Sequence, residues 1–228
     1  MIDHIKVVIP LQLASTRVKQ KNIRPFYKDK SLFDIKAMQL LQAGFSPEQV
    51  YVSSEADLVN ELCQLYGFNY VKRPENLTGN SIKQPDLIAN ILANLPKDND
   101  DILWVQVTNP LFNGFQEIIN FWPEAQRRGF DSIIAVKTLR HHIVNEKGVP
   151  LNFNFGYWHK VSQELPKFYE ILWSAFLLKR ETIEKVKYHI GMSPYYMPFD
   201  DVTTVDIDTM DDFQLAATVY SQKIQGEI

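Results

Sequence analysis

Between Pro10 and Lys28 the chain carries Arg17, Lys19, Lys21, Arg24 and Lys28, with no aspartate or glutamate among them. In a protein with 24 Lys and Arg against 27 Asp and Glu, a formal net charge of −3, this is a local excess of positive charge. Such a loop suits a polyphosphate, whose oxygens would meet both the cations and exposed backbone N–H groups. A solvated basic loop is the plain alternative, and composition alone weighs the two evenly. Near the other end, Asp206 and Asp208 stand two residues apart in VDIDTMDDF. In a strand, positions i and i+2 share a face, so the two carboxylates can converge on one divalent cation while Val205 and Ile207 turn into the core. Mg²⁺ takes a few carboxylates together with phosphate oxygens and water, so the loop and the pair together suit a magnesium-assisted nucleotide reaction. A helix start would also welcome acids, and Asp211 and Asp212 are assigned to that role.

The elements that must position these groups alternate. Ile5 to Ile9 is a β-branched run that reads as a strand, and the basic loop leaves its C-terminal end. Ser31 with Asp34 forms a helix-start pair, Leu32, Ile35, Met38, Leu40 and Leu41 make an apolar face, and Gly44 supplies the C-terminal cap. The pattern repeats: a strand over Val50 to Ser53, a helix started by Ser54 with Asp57 and stopped at Gly67, and a short strand from Tyr70 to Lys72. After a loop from Arg73 to Asn80 comes a helix through Leu87, Ile88, Ile91, Leu92 and Leu95, then Ile102 to Val107, apolar enough for a central parallel strand. A helix from Phe115 to Arg128, disturbed at Pro123, leads through Gly129 to a strand over Ser132 to Val136. Leu139 to Phe168 breaks the pattern and is too long for an ordinary connection, which predicts a lid or an arm. Ile171 to Leu178, a helix over Glu181 to Tyr188, a strand over Val202 to Ile207 and a helix begun by Thr209 and Asp212 complete the chain. The expected fold class is α/β: a doubly wound, mostly parallel sheet in a single domain of residues 1–228, with 139–168 an inserted arm.

Composition narrows the function. With 45% apolar and 12% aromatic residues, disorder is excluded as the main description, and the acidic balance predicts no general affinity for nucleic acid or anionic membrane, so any polyanion must be met locally. The chain has no G-x-x-x-x-G-K-[ST], no G-x-G-x-x-G after the first strand, no H-E-x-x-H and no G-x-S-x-G, which argues against a P-loop ATPase, a dinucleotide dehydrogenase, a zinc protease and an α/β-hydrolase. The one cysteine, Cys63, allows no internal disulfide and reads as buried and inert. The start MIDHIKVVIP lacks the apolar core of a signal peptide, and a cytoplasmic location is expected.

Six short runs, in order along the chain, resemble the acylneuraminate cytidylyltransferases (CMP-sialic acid synthetases) and their relatives acting on other 2-keto-3-deoxy sugar acids. Ile9 to Asn22 (IPLQLASTRVKQKN) resembles that family's I-P-A-R-x-x-S-[KTR]-x-x-x-x-K-N loop. Val52-Ser53-Ser54 resembles V-S-T, Arg73-Pro74 the R-P before a substrate loop, and Val105 to Leu111 resembles L-Q-P-T-S-P-L. Asp131-Ser132-Ile133-Ile134 resembles D-S-V-V, and Asp206 to Thr209 the closing D-I-D-T. The resemblance implies attack of an anomeric hydroxyl on the α-phosphorus of CTP, with Mg²⁺ as cofactor. It implies that Ser15, Arg17 and Lys21 hold phosphates, that Gln12, Asn22 and Arg73 hold the nucleotide, that Gln106 and Trp173 lie at the sugar end, and that Asp206 and Asp208 hold the metal. Arg17, Lys21, Asp206 and Asp208 are then the catalytic set. It further implies a homodimer built on the arm at 139–168, and a role in surface glycan synthesis.

The departures are specific. Gln12 stands where the signature has Arg, Leu11, Leu13 and Ala14 replace smaller residues, Asn80 and Glu55 each replace Asp, and Trp173 to Leu177 (WSAFL) stands where N-G-A-[IF]-Y is expected. A homologue that keeps the fold and binds nucleotide without turnover, or serves as an assembly partner, is the alternative reading. A glycosyltransferase with a D-x-D metal motif is a third, set against by the position of Asp206-Ile207-Asp208 near the C-terminus. His141 and His142 read as surface or interface residues, and Tyr157 and Trp158 as dimer contacts.

Overall fold

A computed structural model describes residues 2–13, 15, 17–79, 82–98, 100–199 and 205–226. Ala14, Thr16, Asn80 and the Val202 end of the last expected strand lie outside the described residues. Among the described residues, β1 (Ile5–Pro10), β2 (Val50–Ser54), β3 (Asn69–Lys72), β4 (Asp101–Val105), β5 (Ser132–Leu139), β6 (Phe168–Lys179) and β7 (Pro194–Phe199) form one sheet. Its order is β3-β2-β1-β4-β6-β5-β7. β1 pairs in parallel with β2 and β4, β2 with β3, and β5 with β7, while β6 runs antiparallel between β4 and β5. The fold is α/β, as expected. The chain moves outward from β1 to β3 and then crosses to the other side of β1 to make β4, so the strand order switches between β1 and β4. Ligand crevices in such sheets open there, at the C-terminal strand ends.

Side-chain alternation explains the two covered faces. Ile5, Val7 and Ile9 of β1, with Leu103 and Val105 of β4, pack with α1 (Leu32–Gln42), α2 (Asp57–Tyr66), α4 (Phe115–Arg127) and α6 (Met210–Gln225). Val8, Ile102 and Trp104 face the other way, onto α3 (Gln84–Ala93) and α5 (Arg180–Val186). All five residues of β4 are buried, which accounts for the apolar run from Ile102 to Val105.

Local signals hold at several ends. Ser31 and Asp34 form a capping box at α1, and Thr209 and Asp212 form one at α6, so Asp212 does cap. Gly67 closes α2 at φ 71°, a left-handed position that glycine takes without strain. Four expectations need correction. Ser54 does not start α2: it ends β2, and Ala56 takes the cap position with no side-chain bond. α4 runs on through Pro123. Val205 to Ile207 is not a strand; the last strand is β7, earlier in the chain, whose Pro and aromatic residues mask its alternation. α5 spans Arg180–Val186, one residue earlier at its start and two shorter at its end than expected.

Residues 140–167 hold two short 3-10 turns and an isolated bridge from Val144 to Pro150. Phe155, Tyr157 and Trp158 point outward there, 65%, 94% and 73% exposed.

Candidate active site

The basic loop leaves β1 at Pro10 and is fastened before it reaches α1. Leu11 N–H donates to the Ser53 carbonyl (2.8 Å), Asn22 Nδ2 donates to the Gln12 carbonyl (2.8 Å), and Phe33 N–H donates to the Asn22 carbonyl (3.0 Å). Leu11, Val18 and Phe26 sink into the core, so the loop's intervening polar residues are held at the crevice. A cavity of about 260 Å³ opens there, lined by Gln12, Ser15, Arg17, Lys21, Asn22, Arg73 and Gln106, with Pro10, Gln84, Leu87 and Thr108. Seven of the ten residues singled out from sequence therefore share one cavity.

The carboxylates reach it through Lys21 and Arg17. Lys21 Nζ donates to the Ile207 carbonyl and stands 3.7 Å from Asp208 Oδ1, while Arg17 donates to that same oxygen at 2.7 Å. Asp206 and Asp208 flank Ile207, which is fully buried, and Val205 packs against the core, in a segment that is not a strand. Ile207 N–H donates to the Thr108 carbonyl at 3.0 Å, which ties the segment to the turn after β4. Burial raises the Asp206 carboxyl above the usual range, against the Thr108 hydrogen bond and the charge of Lys21. Burial lowers the Lys21 amine, opposed by both aspartates. Asp206 Oδ1 is buried with no hydrogen-bond partner. A buried carboxylate oxygen left without a donor, beside a second carboxylate, fits a cation that completes its shell with phosphate oxygens and water. No cluster of three or more His, Cys, Asp or Glu suited to a metal occurs among the described residues.

Arg73 is 2% exposed and donates to Glu55 Oε2 at 2.7 Å and to the Leu11 carbonyl at 3.3 Å. Burial raises the Glu55 carboxyl, but the hydrogen bond and charge of Arg73 together with backbone hydrogen bonds outweigh it, and the net shift is downward. The sequence reading missed this pair. Its signal was the charged residue directly after β2, facing the end of β3, and only the strand order makes those two ends neighbours. Asn22 braces the loop through its amide nitrogen, while its Oδ1 is buried without a partner.

Trp173 stands apart from the cavity lining. It lies on β6 at φ 51°, uncommon for a bulky residue, with its ring 5.8 Å from Phe176 and 5.7 Å from His189. Its neighbour Ser174 accepts the Gln106 N–H at 3.2 Å, which puts Trp173 one residue from the end of the crevice that Gln106 lines. A larger groove, about 930 Å³, opens at the opposite end of the sheet between α3 and α5, and none of the ten candidate residues lines it. Cys63 is buried, its thiol pushed up to about 12 by burial. His142 is exposed and stacks on His159.

Sheet order, switch point and loop together define an α/β fold of the nucleotidyltransferase type. A family model for cytidylyltransferases matches residues 6–154, and the chain belongs to that family. It is 21% identical over 216 residues to an N-acylneuraminate cytidylyltransferase of Streptococcus agalactiae serotype III (strain NEM316), a match covering 90% of this chain and 51% of that protein. The chain thus spans about half the length of the curated relatives it matches. The structure of a CMP:2-keto-3-deoxy-manno-octonic acid synthetase complexed with CTP superposes with a TM-score of 0.64 at 12% identity, covering 96% of this chain and 99% of that one. A 4-diphosphocytidyl-2C-methyl-D-erythritol synthase from Anaerococcus prevotii DSM 20548 does so with a TM-score of 0.65 at 10% identity, covering 95% and 98%. At those identities the likeness is one of fold. No helix among the described residues is long and apolar enough to cross a membrane.

Proposed function

We propose that the protein transfers CMP from CTP to the anomeric hydroxyl of a sialic-acid-like 2-keto-3-deoxy sugar acid and releases pyrophosphate. The observation that carries this reading is Lys21, which joins the basic loop to the carboxylate segment inside the switch-point cavity of a cytidylyltransferase-family chain. The hydroxyl oxygen forms a bond to the α-phosphorus, the bond from that phosphorus to the oxygen bridging to the β-phosphate breaks, and pyrophosphate leaves with the electron pair. The hydroxyl proton passes to one of the two carboxylates, Asp206 or Asp208. Ser15, Arg17 and Lys21 hold the phosphates, Gln12, Asn22 and Arg73 the nucleoside, and Gln106 and Trp173 the sugar. Asp206 and Asp208 would hold Mg²⁺, which when bound neutralises charge on the phosphate oxygens. Arg17 and Lys21 turn from Asp208 to the nucleotide as it binds. The chemistry needs positioning and charge neutralisation, with no covalent intermediate. The irregular segment with its exposed aromatics is the proposed contact between two copies of the chain.

Two observations favour a second reading, a nucleotide-binding homologue without turnover: Arg73 is already engaged by Glu55, and Gln12 offers no charge. Pyrophosphate release from Mg·CTP with a panel of eight-carbon and nine-carbon keto sugar acids separates the two. Transfer predicts release that collapses by about a hundredfold or more in Asp206→Asn with thermal stability kept. Binding of CTP without release from any acceptor supports the second reading and overturns the first.

A further inference from the structure

Lys36 lies in the middle of α1 with no exposed surface, and nothing in the basic loop accounts for it. Its ammonium donates to the carbonyls of Asn109 (3.0 Å) and Phe112 (2.9 Å) and sits 5.1 Å from the Phe115 ring centre. Burial pushes the amine down to about 7. A methionine would fill the same place without the cost of desolvating a charge, so the amine's contribution is its pair of carbonyl contacts. Both lie in one turn.

That turn, Thr108 to Phe112, follows β4 and is gripped from two sides. Gln39, also on α1, donates to the Pro110 carbonyl at 2.7 Å. Asn109 donates to Ser174 Oγ at 3.0 Å and accepts from the Phe112 N–H at 3.1 Å. The first residue of the turn then reaches the carboxylate segment twice: the Thr108 carbonyl accepts from Ile207 N–H, and the Thr108 side chain bonds Asp206.

We infer that Lys36 is a positioning residue for the carboxylate segment: by clamping the turn after β4 it fixes Thr108, and through Thr108 the placement of Asp206. This rests on the role given to Asp206 above. Lys36 does not line the cavity; Thr108 does, but it is not among the residues assigned to the nucleotide, so the action of Lys36 falls on Asp206.

The experiment compares the wild-type protein with Lys36→Met, which keeps the length and loses the donors, and with Lys36→Gln, which is neutral and still donates. Amide exchange at Ile207 should quicken by about tenfold or more in the Met variant, while that at Leu11, bonded to Ser53, stays within about twofold. CTP affinity by calorimetry should stay within about threefold, and kcat for pyrophosphate release should fall about tenfold or more with the KM for CTP little changed. The Gln variant should show the same pattern at smaller amplitude, and it is read against the same two amides if the Met variant does not fold. Equal quickening at Ile207 and Leu11, or none at Ile207, overturns the inference and leaves Lys36 a general stabiliser. The exchange result holds whether or not the wild-type protein releases pyrophosphate, so a failure of the transfer reading remains distinct from a failure of this one.

Discussion

The basic loop after β1 and the segment at 140–167 both lack regular structure, yet they are held by different means. The first sends Leu11, Val18 and Phe26 into the core and ties its backbone and cations to β2, α1 and the Ile207 segment. In the second, the bonds described run within the segment: Asn145 to Val149, Leu151 to Ile143, Asn152 to His141 and His142 to Lys160. Its large aromatics face outward. A loop whose ties cross to other elements is positioned by the whole fold and can aim charges, whereas one that bonds mainly to itself keeps a local shape and offers a surface.

The comparison breaks first at Arg73. Arg73→Met removes the cation from a buried pair and leaves Glu55, 14% exposed, without its partner. We expect a stability loss of about 3 to 5 kcal/mol by denaturant titration. A loss under about 1 kcal/mol would show that the crevice floor is no better tied than the outer segment.

A pH titration sharpens it next. His189 is buried among Trp104, Phe176 and Tyr188, and burial lowers its pKa from 6.5 to about 4. The unfolded chain therefore binds a proton in that window that the folded one does not, so folding stability falls as pH drops from 6.5 toward 4. The full effect is roughly 3 kcal/mol, and His189→Phe should remove that slope from the pH dependence of urea midpoints. A variant whose slope matches the wild-type protein would mean that the ring is already reached by water.

The smallest effect on folding belongs to the outer segment. Tyr157→Ser with Trp158→Ser should change the folding stability of the single chain, measured at dilution, by no more than about 0.5 kcal/mol, since neither ring has burial to lose within it. The same change should shift the mass in light scattering from dimer toward monomer. A wild-type protein that is already monomeric at micromolar concentration would sink the dimer proposal.

Much of this was legible in the residues. Capping pairs at Ser31 and Thr209, the glycine after α2 and the buried run of β4 are local signals that tertiary packing left standing. The basic loop was legible because like charges concentrated in an acidic chain stand out. β7 was not, because Tyr195, Tyr196, Met197 and Phe199 are apolar on both faces and Pro194 and Pro198 read as breakers. Nor were the partners of the charges: that Glu55 meets Arg73, Thr108 meets Asp206 and Lys36 closes the turn after β4 depends on strand order, and spacing along the chain carries no trace of it.

The ion pair between Arg17 and Asp208 is exposed on both sides, 64% and 50%, so in water it is worth less than about 1 kcal/mol. It still means that the loop carries a built-in counter-ion. A bare cluster of five cations would gather small anions from solution, and its affinity for a polyanion would drop steeply as added electrolyte screened it. Here part of that charge is neutralised by the chain itself before any ligand arrives, and a ligand exchanges places with a carboxylate instead of with dissolved chloride. Binding should therefore depend on ionic strength more weakly than a count of lysines and arginines suggests.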